Sequence, residues 1–180
     1  PRGIQVLPDH LPVLHLPLDY PRPPALSLEG KQYGFQLEPE DIRRLNPVLQ
    51  EYDATVFIGL LTAFFITMAR ISGQEDIVIG TAVAGRVNEE LQPLIGMFVN
   101  MLALRHQPEG NKTFLEFLRE VRQHTLQAYD NQEYQYEDLV EIAPVSRDPS
   151  RNPIFDVVFA LQTSRSTVSE QPVQNAVAME

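Results

Sequence analysis

The sequence has no cysteine and no tryptophan. The first absence removes disulfides, thiolate catalysis and cysteine-based metal sites together. It fits a reducing compartment. Basic residues are few as well, 14 Lys and Arg against 24 Asp and Glu, for a net charge of −10. No basic stripe stands out, and an acidic surface opposes binding to a phosphate backbone, so a nucleic-acid partner is not expected. The longest nearly apolar run, Val56 to Ala69, is shorter than the roughly 20 residues a membrane helix needs and reads as a buried core helix. No basic segment followed by an apolar one marks a signal peptide. The first residue is Pro1, which suggests a cut from a longer polypeptide or removal of an initiator Met.

What is present suits a globular domain. The chain has 180 residues, 43% of them apolar, enough to bury one core. Residues 1–30 hold seven of the fifteen prolines. Proline fixes φ and removes a donor, so this stretch is expected to be extended. Its apolar residues, among them Leu11, Val13, Leu14, Leu16 and Leu18, mark it as an arm lying on another surface rather than a free linker. The alternation Tyr33, Phe35, Leu37 predicts a strand over 31–37. Pro39 opens a helix whose apolar stripe is Ile42, Leu45 and Leu49, and Pro47 is expected to kink or split it. Thr55 caps a helix over 56–70 that is apolar on nearly every face and therefore central.

Ile77 to Ile79 predicts a buried strand, 80–93 a loop with a helical turn near 88–91, and 98–105 a second strand. Thr113 and Glu116 form a capping box before an amphipathic helix. Residues 136–142 suggest a short helix and 154–161 a strong strand. Beyond Thr163 the chain turns polar. Helices and strands alternate without internal repeats, which places the fold in the α/β or α+β class.

The candidate sites fall away one by one. Gly80 to Val87 imitates a phosphate loop but carries Arg86 and Val87 where Lys and Ser or Thr belong. Its glycines are as well explained by tight turns. His10, His15, His106 and His124 show no metal-ligand spacing, and His124 is expected to be a solvated surface residue. No nucleophile elbow occurs. Glu133, Glu137 and Asp138 carry no mark of an acid/base pair. The segment Arg147-Asp148-Pro149-Ser150-Arg151-Asn152-Pro153 is different. It sets two arginines, an aspartate and an asparagine in a proline-bounded turn. From the residues alone it reads equally as a site at a strand end and as a self-satisfied turn.

At this point the motifs carry a resemblance. Arg147 to Asp156 (R-D-P-S-R-N-P-I-F-D) resembles the R-D-x-S-R-N-P-[LI]-F-D motif of condensation domains of nonribosomal peptide synthetases. Ile95 to Arg105 is similar to that family's I-G-x-F-V-N-T-x-x-x-R, with Met101 in place of Thr. Asn131 to Glu137 resembles H-Q-D/E-Y-P-F-E, with Asn131, Gln135 and Tyr136 in place of His, Pro and Phe. Ser72 to Arg86 matches the approach to the family's floor loop, and Leu16 to Gly30 its inter-lobe connector. The likeness runs from about Pro8 to Gln162. The family's H-H-x-x-x-D-G motif is not in the sequence, which has no two adjacent histidines.

The resemblance implies an α/β fold, a two-layer sandwich like one lobe of chloramphenicol acetyltransferase, incomplete at both ends. It divides the chain into a connector (1–30), a C-terminal lobe (31–162) and a polar tail (163–180). It implies part of a cytoplasmic acyltransferase that joins a donor thioester to an acceptor amine, with this portion inactive alone. Partners would be carrier protein domains and the N-terminal lobe. Phosphopantetheine would be borne by the carriers and no cofactor or metal held directly. Arg86 would pair with the Asp of the missing motif, and Asn100 would line the tunnel. Arg147, Asp148, Arg151 and Asn152 would shape the rim, and none of these residues is assigned catalysis. Exposed apolar surface would favour a homodimer. A noncatalytic docking module for carriers or a partner lobe is the alternative. A stand-alone acyltransferase would need its own catalytic histidine.

Overall fold

The structure is a computed structural model that describes residues 10–27, 29–144 and 148–162. Its centre is α2 (Val56–Ser72), whose sequence leaves it no polar face. Ile58, Leu61, Phe65 and Met68 are buried, and so is Thr62, whose hydroxyl donates back to the Ile58 carbonyl at 2.7 Å. Thr55 caps its first turn, accepting from the Ile58 N–H at 3.3 Å. Gly73 ends it in the left-handed conformation, φ +69°, the region glycine enters without steric cost. Each large side chain fully buried here contributes about 1.5–3 kcal/mol.

Before α2 comes α1 (Pro39–Glu51), which packs Leu49 into the core. It runs unbroken through Pro47, contrary to the expected split. Pro47 lies on the exposed side, where water can serve the carbonyl that lost its partner. Residues 31–37 form no strand. Tyr33, Phe35 and Leu37 are exposed, and alternation without a neighbouring strand cannot hold a ladder.

Two antiparallel strands make the sheet, β1 (Ile77–Val83) and β2 (Asn100–His106), with Ile77 opposite His106 and Val83 opposite Asn100. β1 runs further than expected because the ladder to β2 continues through Val83. Between them lie a long loop and one 3-10 turn, Glu89–Leu91. After β2, α3 (Phe114–Asp130) starts at the predicted capping box: Thr113 accepts from the Glu116 N–H, and the Glu116 carboxylate accepts from the Thr113 N–H at 2.8 Å. The short α4 (Tyr136–Ile142) falls where its sequence placed it.

The sheet divides the core in two. One face, with Ile77, Ile79 and Leu104, packs on α2 and α3. The other, with Val78, Met101 and Ala103, meets Leu11, Ile154, Phe155 and α4. Residues 154–161 do not form the expected full strand. They make one parallel bridge to β1, in which Gly80 donates to the Val157 carbonyl at 2.9 Å and accepts from the Phe159 N–H at 2.8 Å. Phe155 lies so close over Gly80 that a Cβ there would stand 2.4 Å from its ring.

Of the proline-rich segment, the described residues 10–27 form no helix or strand and lie against the rest of the fold. Gln74 donates to the Val13 carbonyl at 2.9 Å and accepts from the His15 N–H at 2.7 Å. Leu11 and Leu14 are buried, whereas Val13, Leu18 and Tyr20 are exposed. Among the described residues no single helix is long and apolar enough to cross a membrane.

Candidate functional site

Asn100 opens β2 and is buried. A buried carboxamide needs both its donors and its acceptor matched, and here they are. Its Nδ2 donates to the carbonyls of Gln132, at 2.8 Å, and Tyr134, at 2.7 Å. Its Oδ1 accepts from the N–H groups of Met101, at 2.8 Å, and Tyr136, at 3.1 Å. One side chain thereby pins the turn after α3 and the first residue of α4 to the end of the sheet.

Tyr136 carries the contact onward. Its ring lies against Phe155, centroids 5.3 Å apart, and its hydroxyl reaches the Asn152 Oδ1 at a long 3.5 Å. Burial pushes the Tyr136 phenol up. The segments 95–105, 131–137 and 148–156 thus meet at one place, though up to about 50 residues of chain separate them.

The turn before Ile154 is largely self-satisfied. The Asp148 carboxylate accepts from the Ser150 hydroxyl at 2.7 Å and the Ser150 N–H at 2.8 Å, and these bonds hold its pKa below the usual range. Arg151 donates to Asp156 at 2.7 Å and to the Leu14 carbonyl at 3.2 Å. Arg22 reaches the Ser150 carbonyl at 3.3 Å, and the Leu26 N–H donates to Pro149 at 2.9 Å. The turn therefore fastens the proline-rich segment. Arg147 lies outside the described residues, as does the tail 163–180.

Arg86 sits in the long loop between the strands. Its guanidinium donates to the carbonyls of Leu91 and, at 3.3 Å, Gly96, and lies 4.3 Å over the Phe98 ring. None of the ion pairs among the described residues includes it. Gly85 beside it has φ +64°, and a Cβ there would strike the Phe98 carbonyl oxygen at 1.7 Å. A cavity of about 280 Å³ separates this loop from the turn pinned by Asn100. Val87, Leu91 and Met97 line one side, Gln132 and Glu133 the other, and Asn100 joins them.

Three relationships are not evident in the residue pattern alone. Arg105 grips Asp76 with two bonds, at 2.8 and 2.5 Å, which raises the arginine's pKa. Asp156 is the partner of Arg151, though it closes a quoted motif. The third is His106, buried with both ring nitrogens unpartnered. Its ring stands edge-on to Phe65 and Phe117 and stacks on His124, centroids 5.1 Å apart. Burial first, then the nearby His124 and Lys112, lower its pKa to about 3. Such an imidazole is neutral in this setting and faces no cavity described above. His124 is exposed, as its sequence suggested. No group of three or more metal-ligating side chains occurs among the described residues.

A helical layer on one face of a sheet and the motif segments on the other give an α/β arrangement, and this is the fold of condensation-domain proteins. The fold superposes on a four-domain nonribosomal peptide synthetase, holo-AB3403, solved with AMP and glycine. The TM-score is 0.84 at 28% identity, over 88% of this chain and 12% of that one. It also superposes on the X-domain from teicoplanin biosynthesis, a likeness of fold with TM-score 0.75 and 24% identity, covering 81% of this chain and 32% of that one.

The chain belongs to the condensation domain family, whose model matches residues 5–179. It is 44% identical to bacitracin synthase 3 of Bacillus licheniformis over 93% of its length and 3% of the relative's. It is 46% identical to tyrocidine synthase 3 of Brevibacillus parabrevis over 87% of its length and 2% of the relative's. It spans only 2–6% of the curated relatives it matches.

Proposed function

We propose that this chain forms the connector (1–30) and C-terminal lobe (31–162) of a cytoplasmic condensation domain. Its work is to wall a channel in which two carrier-bound reactants meet. The amine of the acceptor attacks the thioester carbonyl of the donor, the amide bond forms, the C–S bond breaks, and the donor carrier's thiol leaves. Phosphopantetheine arms belong to the carriers, and their reach into the channel sets the geometry. Holding two tethered reactants in line can supply about 7–11 kcal/mol of the barrier, and rigid walls suffice for that.

The observation that carries the reading is the convergence of the three motif segments on Asn100, Tyr136 and Phe155. It explains why polar residues at such distant positions go together: they tie the bridge segment to the turn that, with the loop, borders the 280 Å³ cavity. Asn100, Asp148, Arg151 and Asn152 organise this wall and do no chemistry. Arg86 keeps unused N–H groups, and a carboxylate from the H-H-x-x-x-D-G segment is their proposed partner. That segment supplies the reactive imidazole. The four histidines of this chain do not fit the task, since one is buried and neutral and none lines the cavity.

The test uses donor and acceptor carriers loaded with their thioesters. This chain alone is expected to yield no amide. Mixed with a polypeptide carrying H-H-x-x-x-D-G, it is expected to bind that polypeptide and yield amide. Amide from this chain alone would refute the reading. Binding without amide, for carriers and partner lobe alike, would favour the noncatalytic docking module.

A further inference from the structure

The loop between β1 and β2 presents its apolar side chains outward. Ile95 and Met97 are almost wholly exposed, and Val87, Leu94 and Val99 are about half exposed. Left to itself, a loop of this composition would fold those side chains inward, because apolar surface in water is unfavourable. Something must hold the row out. The means lie at Arg86. Its guanidinium ties the Leu91 and Gly96 carbonyls together and stacks on Phe98. Gln92 returns a bond to the Arg86 carbonyl at 3.3 Å. Gly85 lets the chain close against Phe98 below.

We infer that Arg86 is a positioning residue that sets the shape of the 85–99 loop from within. It does so through two carbonyls and one aromatic face, independently of any carboxylate. Arginine has five N–H donors in a planar fork, and the loop occupies one on each terminal nitrogen. The remaining ones stay available to a partner, so one side chain couples the loop's shape to whatever approaches it. Lysine cannot replace it. An ammonium offers no planar face for Phe98 and no fork for two divergent carbonyls.

This deepens the channel-wall reading and rests on it, and the experiment separates the two. In the synthetase that carries this chain, Arg86→Lys and Arg86→Gln are compared with the parent protein. The first readout is amide hydrogen exchange at Leu91, Gln92 and Leu94, whose N–H groups donate within the loop. Both variants are expected to exchange there about tenfold faster or more, with β1 and β2 unchanged, as for local opening of a segment that lost its tie. The second is the kinetics of amide formation, where kcat/KM is expected to fall about tenfold in both, mainly through KM for the loaded acceptor carrier. If Arg86→Lys matches the parent in exchange and kinetics, charge alone matters and the inference is overturned. Unchanged loop exchange in both variants overturns it equally. A parent protein that forms no amide would overturn the channel-wall reading on which this rests, while the exchange rates still decide whether Arg86 shapes the loop.

Discussion

Asn100 and Tyr136 are joined by a hydrogen bond in which the side-chain oxygen of the first accepts the backbone N–H of the second, at 3.1 Å. The first residue of β2 thus fixes the first residue of α4. Replacing Asn100 with Ala strands four backbone groups, two carbonyls and two N–H groups, around a small void. The expected loss is about 2–4 kcal/mol, the range for a buried polar network broken on one side. Asn100→Asp is expected to lose as much, because a carboxylate would face the Gln132 and Tyr134 carbonyls. Urea unfolding measures both, and a midpoint shift equivalent to under 1 kcal/mol in either would contradict the role.

Gly80 accepts no side chain. The Phe155 ring fills the space where a Cβ would stand, so Gly80→Ala is expected to cost about 1–3 kcal/mol by overpacking. Phe155→Leu in the same chain is expected to recover part of that loss, which a double-mutant cycle reads directly.

Arg151 holds the turn, the bridge segment and the proline-rich segment together. It is mostly buried, as is Asp156. Arg151→Met leaves that carboxylate unpaired and frees the Leu14 carbonyl, for an expected cost of about 2–4 kcal/mol. Removing both charges, Arg151→Met with Asp156→Leu, is expected to restore most of it. Limited proteolysis between residues 15 and 26 is expected to speed in the single variant.

His106 makes stability depend on pH. Its pKa in the folded chain is about 3, against about 6.5 when unfolded. A depressed histidine contributes fully above pH 6.5, where both states are neutral there. The contribution is lost as pH falls from 6.5 toward 3, because the unfolded chain takes up the proton first. By pH 5 this amounts to about 2 kcal/mol. Urea midpoints at pH 7.5 and pH 5 check it. His106→Phe, which keeps the contact with Phe65 and Phe117, is expected to flatten the difference, and an unaltered slope would rule out His106 as its source.

Much of the helical framework was legible because its signals are local. Thr55 and Thr113 with Glu116 announce their helices within one turn, and the run after Thr55 has no polar face to turn outward. The two strands that the pattern predicts and the fold lacks share one cause, dependence on partners far along the chain. Residues 31–37 and 154–161 both carry strand patterns, yet a strand exists only where another supplies its ladder. The first meets none among the described residues, and the second meets only Gly80. Pro47 differs, since its cost depends on which helix face it occupies, and here that face is exposed. At the site, the motifs contain Asn100, Tyr136 and Arg151, but not the pairing of Asn100 with Gln132 and Tyr136 or of Arg151 with Leu14, which only the fold brings about. His106 gave no sign, since nothing adjacent in sequence reveals that it is caged by aromatics.

Histidine replacement tests the central claim most directly. In the polypeptide that carries this chain together with H-H-x-x-x-D-G, the measurement is amide formation after His10→Ala, His15→Ala, His106→Phe and His124→Ala, one at a time. The account predicts that each variant retains amide formation, whereas replacing the second histidine of the motif abolishes it. Loss of product from a folded His10, His15, His106 or His124 variant would place the reactive imidazole within this chain and contradict the account.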